Sequence, residues 1–415
     1  MKFNKVGQVA LVSATALILA SAFTACNPVT IDFLFVAGDN NSTVKTPVDG
    51  QIQTFEIDRV SGALNIVNST VSSGGITPVS EAVSTDFKNF YVANQGDSTL
   101  VQFGIGGSGQ LTSVKTTTMS AEGNTPVAIT MNAAGTLLFV ANRYQPGCNV
   151  ATDGAETCNG GALAVFPVGS DGTLGASVSN GSLNYWPVGI NPTSVNSLAN
   201  GTAAYVSTYN PTSGIGFMYG FSSSAAGALT SIAGTSNISG KPFPSGVKPV
   251  AIASDPTSRF VYVTDFAQNE LIAFSVLDGG VLNPLINGPF KTGNQPSAIT
   301  VDPRGKFIYI ANELDNTVSA YNIDLSTGTP SAAVNTTGST TNTTGTQPVA
   351  ILVDNAYGRY VYTANFLDNS LTGFLLNSST GTITTTQSGP YPSVNQPVAV
   401  VSVPRGNHSI QVVQP

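Results

Sequence analysis

Glu313, Arg143 and Lys248 are the side chains of this 415-residue sequence best suited to handle a polar ligand, and Tyr209, Phe266 and Phe366 stand at matching positions. A carboxylate can take a proton from water or a hydroxyl group, so Glu313 is the candidate general base. The guanidinium of Arg143 and the ammonium of Lys248 suit a carboxylate or phosphate. The three aromatic rings suit the apolar faces of a sugar. Together they describe a pocket for a polar, ring-shaped ligand such as a sugar or sugar acid. The alternative is that they only decorate a solvent-filled funnel. The chain has one histidine, His408, in "RGNHS" near its end, which reads as a solvated turn residue. No phosphate-binding glycine loop, HExxH, GxSxG or EF-hand pattern occurs, so no metal and no cofactor are expected.

The elements that must position these residues repeat. A Pro-led segment begins at Pro78, Pro126, Pro192, Pro249, Pro296, Pro348 and Pro397, at intervals of 47 to 66 residues. A turn with Asp, Asn, Pro or Gly follows, such as "DPRGK". A second apolar run follows the turn: "FYVAN" at Phe90, "VYVTD" at Val261 and "IYIAN" at Ile308. A third run such as "VSAYNI" has seven copies, the first at Ile52, and a Gly-bearing turn leads to a weak fourth. Short β-branched and aromatic runs between Gly- and Asp-rich turns are strand signals. Four strands repeated at this period predict an all-β fold, a seven-bladed β-propeller of four-stranded antiparallel blades. The first unit begins at its second strand, "FLFVAG" at Phe33, and the last supplies only "PVAVVS" at Pro397. Pairing the two closes the ring and hides its edges. "SIQVV" at Ser409 competes with Phe33 for that slot, and a two-plus-two closure is the alternative.

The repeat also separates structure from chemistry. Asn312 has counterparts at Asn94, Asn142, Asp265 and Asn365, with Thr208 and Gly38 at the remaining two, so the position serves every blade and reads as a turn brace. Asp315-Asn316, Asp368-Asn369 and the Asp-Pro turns at Asp255 and Asp302 read the same way. The residues just after the Asn position and just before each Pro differ from blade to blade. They flank loops on one face, around the central mouth. Glu313, Arg143, Tyr209, Phe266 and Phe366 belong to the first set and Lys248 to the second.

Charged residues make up only 9% of the chain, its net charge is −7 and its pI about 4.6. Nucleic acid binding needs basic patches and is not expected. Residues 1–26 read as a signal peptide: Lys2 and Lys5, then an apolar core from Val9 to Ala22, too short to span a membrane comfortably. "FTAC" ends it, and Cys26 after Thr-Ala resembles a bacterial lipobox, with Phe23 where Leu is usual. Cys26 is thus the candidate lipid anchor, with ordinary cleavage nearby as the alternative. Residues 27–415 form one propeller domain. Cys148 and Cys158 lie in one Gly-rich polar segment, and in an oxidising compartment they are expected to form a local disulfide. A metal pair is the alternative, without a His or further Cys to complete it.

The second strand carries a family resemblance. "YVAN" at Tyr91, "FVAN" at Phe139, "YVTD" at Tyr262 and "YIAN" at Tyr309 resemble the YVTN-type repeat. The whole unit, from residue 31 to 415, resembles the seven-bladed lactonase family, which includes 6-phosphogluconolactonase and carboxymuconate-cyclising enzymes. That resemblance implies a lactone hydrolase or isomerase using His, Arg and Glu at the central opening. This chain departs from it, with no His in the blade repeats. Two readings follow. One is an exported propeller, anchored in the cell envelope by lipid or free in the periplasm or outside, that binds a small polar ligand or surface partner at the mouth. The other is a lactonase acting on an extracytoplasmic sugar-acid or other lactone. Both expect a monomer that meets a membrane only through its anchor.

Overall fold

The structure, a computed structural model, describes residues 29–40, 48–148, 160–232 and 242–405. Its strands form seven antiparallel sheets arranged as the blades of a β-propeller. Blade 1 starts at Pro78–Val83, blade 2 at Asn124–Met131, blade 3 at Pro192–Ser197, blade 4 at Pro249–Ser254, blade 5 at Pro296–Val301 and blade 6 at Pro348–Val353. In blade 5 the chain then runs outward through Phe307–Asn312, Thr317–Ile323 and Pro330–Ala332. Each Pro-led strand touches the Pro-led strands of both neighbouring blades, so these seven line a central channel.

Blade 7 joins the two ends of the chain. Pro397–Pro404 pairs with Thr30–Gly38, with Phe33 opposite Val403 and Gly38 opposite Pro397. Asp49–Asp58 and Leu64–Ile66 complete it from the N-terminal side. The closure expected from Phe33 and Pro397 is therefore the one formed, and Ser409 lies outside the described residues. The weak fourth strand differs from expectation in five blades, where it is split in two. In blade 5, Pro330–Ala332 pairs with one half of Thr317–Ile323 and Thr341–Thr343 with the other. The outer segment turns away between them, so two short pieces cover one long edge, and short edges resist edge-to-edge association.

The second strands are buried along their whole length, as Phe307–Asn312 shows, because each is sandwiched between two other blades. Their tyrosine does more than fill space. The hydroxyls of Tyr91, Tyr205, Tyr262, Tyr309 and Tyr362 each donate to the carbonyl of a glycine in the next blade's outer turn: Gly172, Gly280, Gly328, Gly381 and Gly62. Those glycines sit at φ of 68° to 82°, where a side chain is strained. At Gly328 a Cβ would also meet the Phe260 ring at 2.2 Å. Blades 2 and 7 carry Phe139 and Phe35 at this position and lack the bond. The Tyr of the repeat is thus a staple between blades. Aspartates fix the turns at the same end: Asp302 Oδ1 accepts the amides of Lys306 and Phe307 at 2.7 and 2.8 Å.

Candidate functional site

At the other end of the blades, the Asn position braces the loop that delivers each Pro-led strand. Asn312 accepts from the Gly293 amide (3.1 Å) and donates to Thr317 Oγ1 and Ser319 Oγ (3.0 and 2.9 Å). Asn365 holds Ser370 and Thr372 in the same way, and Asp265 accepts the amides of Val247 and Lys248.

The next residue and the residue before the Pro that opens the same blade are joined through the backbone. The amides of Asp39, Gln95, Tyr209, Phe266, Glu313 and Phe366 donate to the carbonyls of Gln396, Thr77, Asn191, Lys248, Gln295 and Gln347. The residues before Pro are held in turn by the preceding blade. The amides of Gln295, Gln347 and Gln396 donate to the side chains of Asn269, Asn316 and Asn369 at 2.7 to 2.8 Å. Thr77, Thr125, Asn191, Gln295, Gln347 and Gln396 all have φ between 46° and 62°, a left-handed backbone uncommon for non-glycine residues. Lys248 is not among them. The mouth is therefore a rigid backbone frame on which the side chains vary.

Two groups of sequence-predicted residues come together on that frame. The Lys248 ammonium lies 4.1 Å from the centroid of Phe266 and 5.6 Å from that of Tyr209, a cation held on two aromatic faces. Glu313 Oε1 accepts from Gln347 Nε2 at 2.7 Å across the boundary between blades 5 and 6, and Gln347 also receives the Phe366 amide. Arg143 stands apart from both groups in the contacts it makes. Its Nε is buried without a hydrogen-bond partner, as are both side-chain polar atoms of Asn142 before it. Cys158, Cys26 and His408 lie outside the described residues. Among the described residues no group of His, Cys, Asp or Glu could hold a metal ion, and no helix is long and apolar enough to cross a membrane.

The channel's other end carries groups that the sequence reading missed. A cavity of about 530 Å³ opens there, lined by Glu81, Ser84, Asn132, Ser197, Asn355 and Ser402 with neighbouring apolar residues. Glu81 stands on the first strand of blade 1, where the other blades carry Ile129, Val195, Ile252, Ile299, Ile351 and Val400. Both its carboxyl oxygens are buried without a partner. Burial pushes this carboxyl well above the usual carboxylate range, against the weaker pull of the Ala37 amide. Its stem lines the cavity while its oxygens are sealed between blades 1 and 7. Comparing the Pro-led strands position by position exposes Glu81 as the one acid among aliphatic residues. A second buried acid, Asp32, lies on the closing strand. Burial and the neighbouring Asp354 carboxyl hold it protonated well above the ordinary range. Burial raises Asp354 as well, against the pull of the amides of Tyr357, Arg359 and Tyr360 that it accepts, so the two carboxyls resist ionising together. No local signal joins residues 32 and 354.

A family model described as "Lactonase, 7-bladed beta-propeller" matches residues 77–152 and 188–397. No curated protein matches the chain. Among solved structures, a candidate 6-phosphogluconolactonase of Bacteroides fragilis superposes with a TM-score of 0.67 at 19% identity, covering 90% of this chain and 98% of its own. One from Bacteroides uniformis gives 0.69 at 17% identity, covering 90% and 100%. The periplasmic gluconolactonase of Pseudomonas aeruginosa gives 0.68 at 19% identity, covering 90% and 99%. At these identities the likeness speaks for the fold.

Proposed function

This chain belongs to the seven-bladed β-propeller lactonase family, and from that premise we propose that it binds a small anionic, ring-shaped ligand at its central mouth, as an exported protein anchored by lipid at Cys26. The observation that supports this reading is Lys248. Its ammonium is fixed on the faces of Phe266 and Tyr209, and it is the one charged side chain among the seven residues that precede the Pro-led strands. A cation held in place loses little side-chain freedom on binding, and its outward N–H groups suit a carboxylate or phosphate. The exposed part of the rings and the amide of Gln347 suit a sugar ring and its hydroxyls. Calorimetric titration with gluconate and 6-phosphogluconate tests it. Lys248→Met is expected to weaken binding by about tenfold or more, the scale of one charge-assisted hydrogen bond. Unchanged affinity in that variant overturns the reading.

Export and anchoring rest on residues 1–26 and are supported by the address in the name of the Pseudomonas aeruginosa neighbour, which is described as periplasmic. Cys26→Ala is expected to release the protein from membranes. In the same compartment Cys148 and Cys158 form a bridge, checked by alkylation and mass measurement with and without reductant.

A second reading, favoured by the family match and by the bond that orients Glu313 Oε1 toward Gln347, is lactone hydrolysis. Glu313 would draw a proton from water as the water adds to the lactone carbonyl, the ring C–O bond would then break with that proton returned to the leaving oxygen, and Lys248 would hold the acid portion of the ligand. A panel of simple lactones with wild-type and Glu313→Gln proteins decides it. Turnover lost in the variant supports the enzyme, and equal background rates reject it.

A further inference from the structure

A second cavity, of about 340 Å³, lies on the face opposite the mouth, and three of its lining residues are Arg59, Arg304 and Arg359. Three guanidinium groups around one space repel one another unless something negative shares it. The carboxylates close by are already committed. Asp302 pairs with Arg304 Nε at 2.7 Å. Asp58 Oδ1 is turned into its own turn, accepting from the amides of Val60 and Ser61 and from Ser61 Oγ at 2.6 to 3.1 Å. Asp354 accepts the amides of Tyr357, Arg359 and Tyr360 at 2.5 to 2.8 Å. Among the described residues, Arg59 and Arg359 form no ion pair. The cavity therefore offers two uncompensated guanidinium groups in an acidic protein, the chemistry of a site for a phosphate-type anion.

Its place in the fold says where that anion comes from. The Arg59 amide donates to the Val29 carbonyl at 2.9 Å, and the Tyr360 hydroxyl donates to the Arg59 carbonyl at 3.0 Å. Arg59 is thus tied to the start of the first described strand, Thr30–Gly38, which runs from this face toward the mouth. Val29 and Val60 flank Arg59 with 52% and 78% of their surface exposed. Two bare valines add nothing to the capture of a dissolved ion. At a bilayer surface they would enter the headgroup layer while the arginines meet its phosphates.

We propose that the Arg59–Arg304–Arg359 cavity binds the phosphate of an anionic lipid headgroup, so that the propeller lies with this face on the membrane and its mouth turned away. The inference extends the anchored reading above, since Cys26 stands three residues before Val29.

The test uses unlipidated Cys26→Ala protein, so that it stands whether or not Cys26 is acylated. Sedimentation with vesicles is expected to show binding to phosphatidylcholine containing phosphatidylglycerol and none to phosphatidylcholine alone, with the binding lost as salt is added. Arg59→Ala with Arg359→Ala is expected to weaken it roughly 25-fold, about fivefold for each charge. Lys291→Ala, on the outer strand of blade 4 at the mouth end, removes one positive charge elsewhere and is expected to leave it unchanged. Arg304 stays intact because it braces its own turn, and Arg59→Lys with Arg359→Lys is expected to retain most of the binding. Equal binding to neutral and anionic vesicles, or an unaffected Ala double variant, overturns the proposal. So does binding of inorganic phosphate by a protein that ignores the vesicles, which would make this a site for a free anion.

Discussion

The two ends of the channel are built on different plans. At the mouth the blades repeat a backbone frame and vary the side chains on it: Glu313, Tyr209, Phe266 and Phe366 occupy one hydrogen-bonded position in four blades. At the opposite end the blades repeat the side chains too. Aspartates at 255, 302 and 354 accept the amides of their turns, and five tyrosines staple one blade to the next. The difference separates residues that hold the ring from residues that are free to serve a ligand. Two acids cross that line, Glu81 and Asp32, both beside the seam where blade 7 closes the ring.

The sharpest way to break this contrast is to remove one turn acid from each end. Asp302→Ala strips the partner from the buried Phe307 amide, from the Lys306 amide and from the part-buried Arg304, and is expected to cost about 3 kcal/mol or more in urea unfolding. Asp315→Ala, in an exposed turn at the mouth, is expected to cost about 1 kcal/mol or less. Similar losses at both ends would erase the distinction. Tyr309→Phe comes next. It leaves the Gly381 carbonyl without its donor, for about 1–2 kcal/mol, whereas Phe139 and Phe35 show that the ring shape tolerates Phe there.

The fold was legible because the repeat states it seven times, and because a Pro-led strand at Pro397 without companions has one place to go. The braces were legible by recurrence, as Asn312 and Asp302 were. Their partners were not. Asn312 reaches back to Gly293, ahead of the strand it serves, and the hydroxyl of Tyr309 reaches Gly381 in the next blade. Most of the split outer strands run for only two or three residues and carry too little pattern to be read. At the mouth, the two variable positions were legible, but not that Lys248 would lie on Phe266. Asp32 and Asp354 meet only because the ring closes, and no spacing in the chain signals it.

The seam makes a pH-dependent expectation. Glu81 and Asp32 are ordinary carboxyls in the unfolded chain and are raised well above that range when folded. The folded state therefore keeps protons that the unfolded state releases, and stability falls as pH rises from about 4 through the raised values. Asp32→Asn, which needs no proton, is expected to flatten that slope by its share and to be neutral or stabilising at pH 7. Urea midpoints measured from pH 4 to 8 check it, and an unchanged slope in both Asp32→Asn and Glu81→Gln contradicts the assignment. The smallest effect on stability is expected at the mouth. Lys248→Met keeps its stem on the two rings and is expected to change stability by no more than about 0.5 kcal/mol.

That small cost makes the mouth the place to test function directly. Gluconate and 6-phosphogluconate would be titrated calorimetrically into wild-type protein, Lys248→Met and Glu81→Gln in one buffer at pH 7. Binding weakened about tenfold or more in Lys248→Met and preserved in Glu81→Gln is the expected result. Binding preserved in Lys248→Met and lost in Glu81→Gln would place the ligand in the cavity at the other end and contradict the assignment of the mouth.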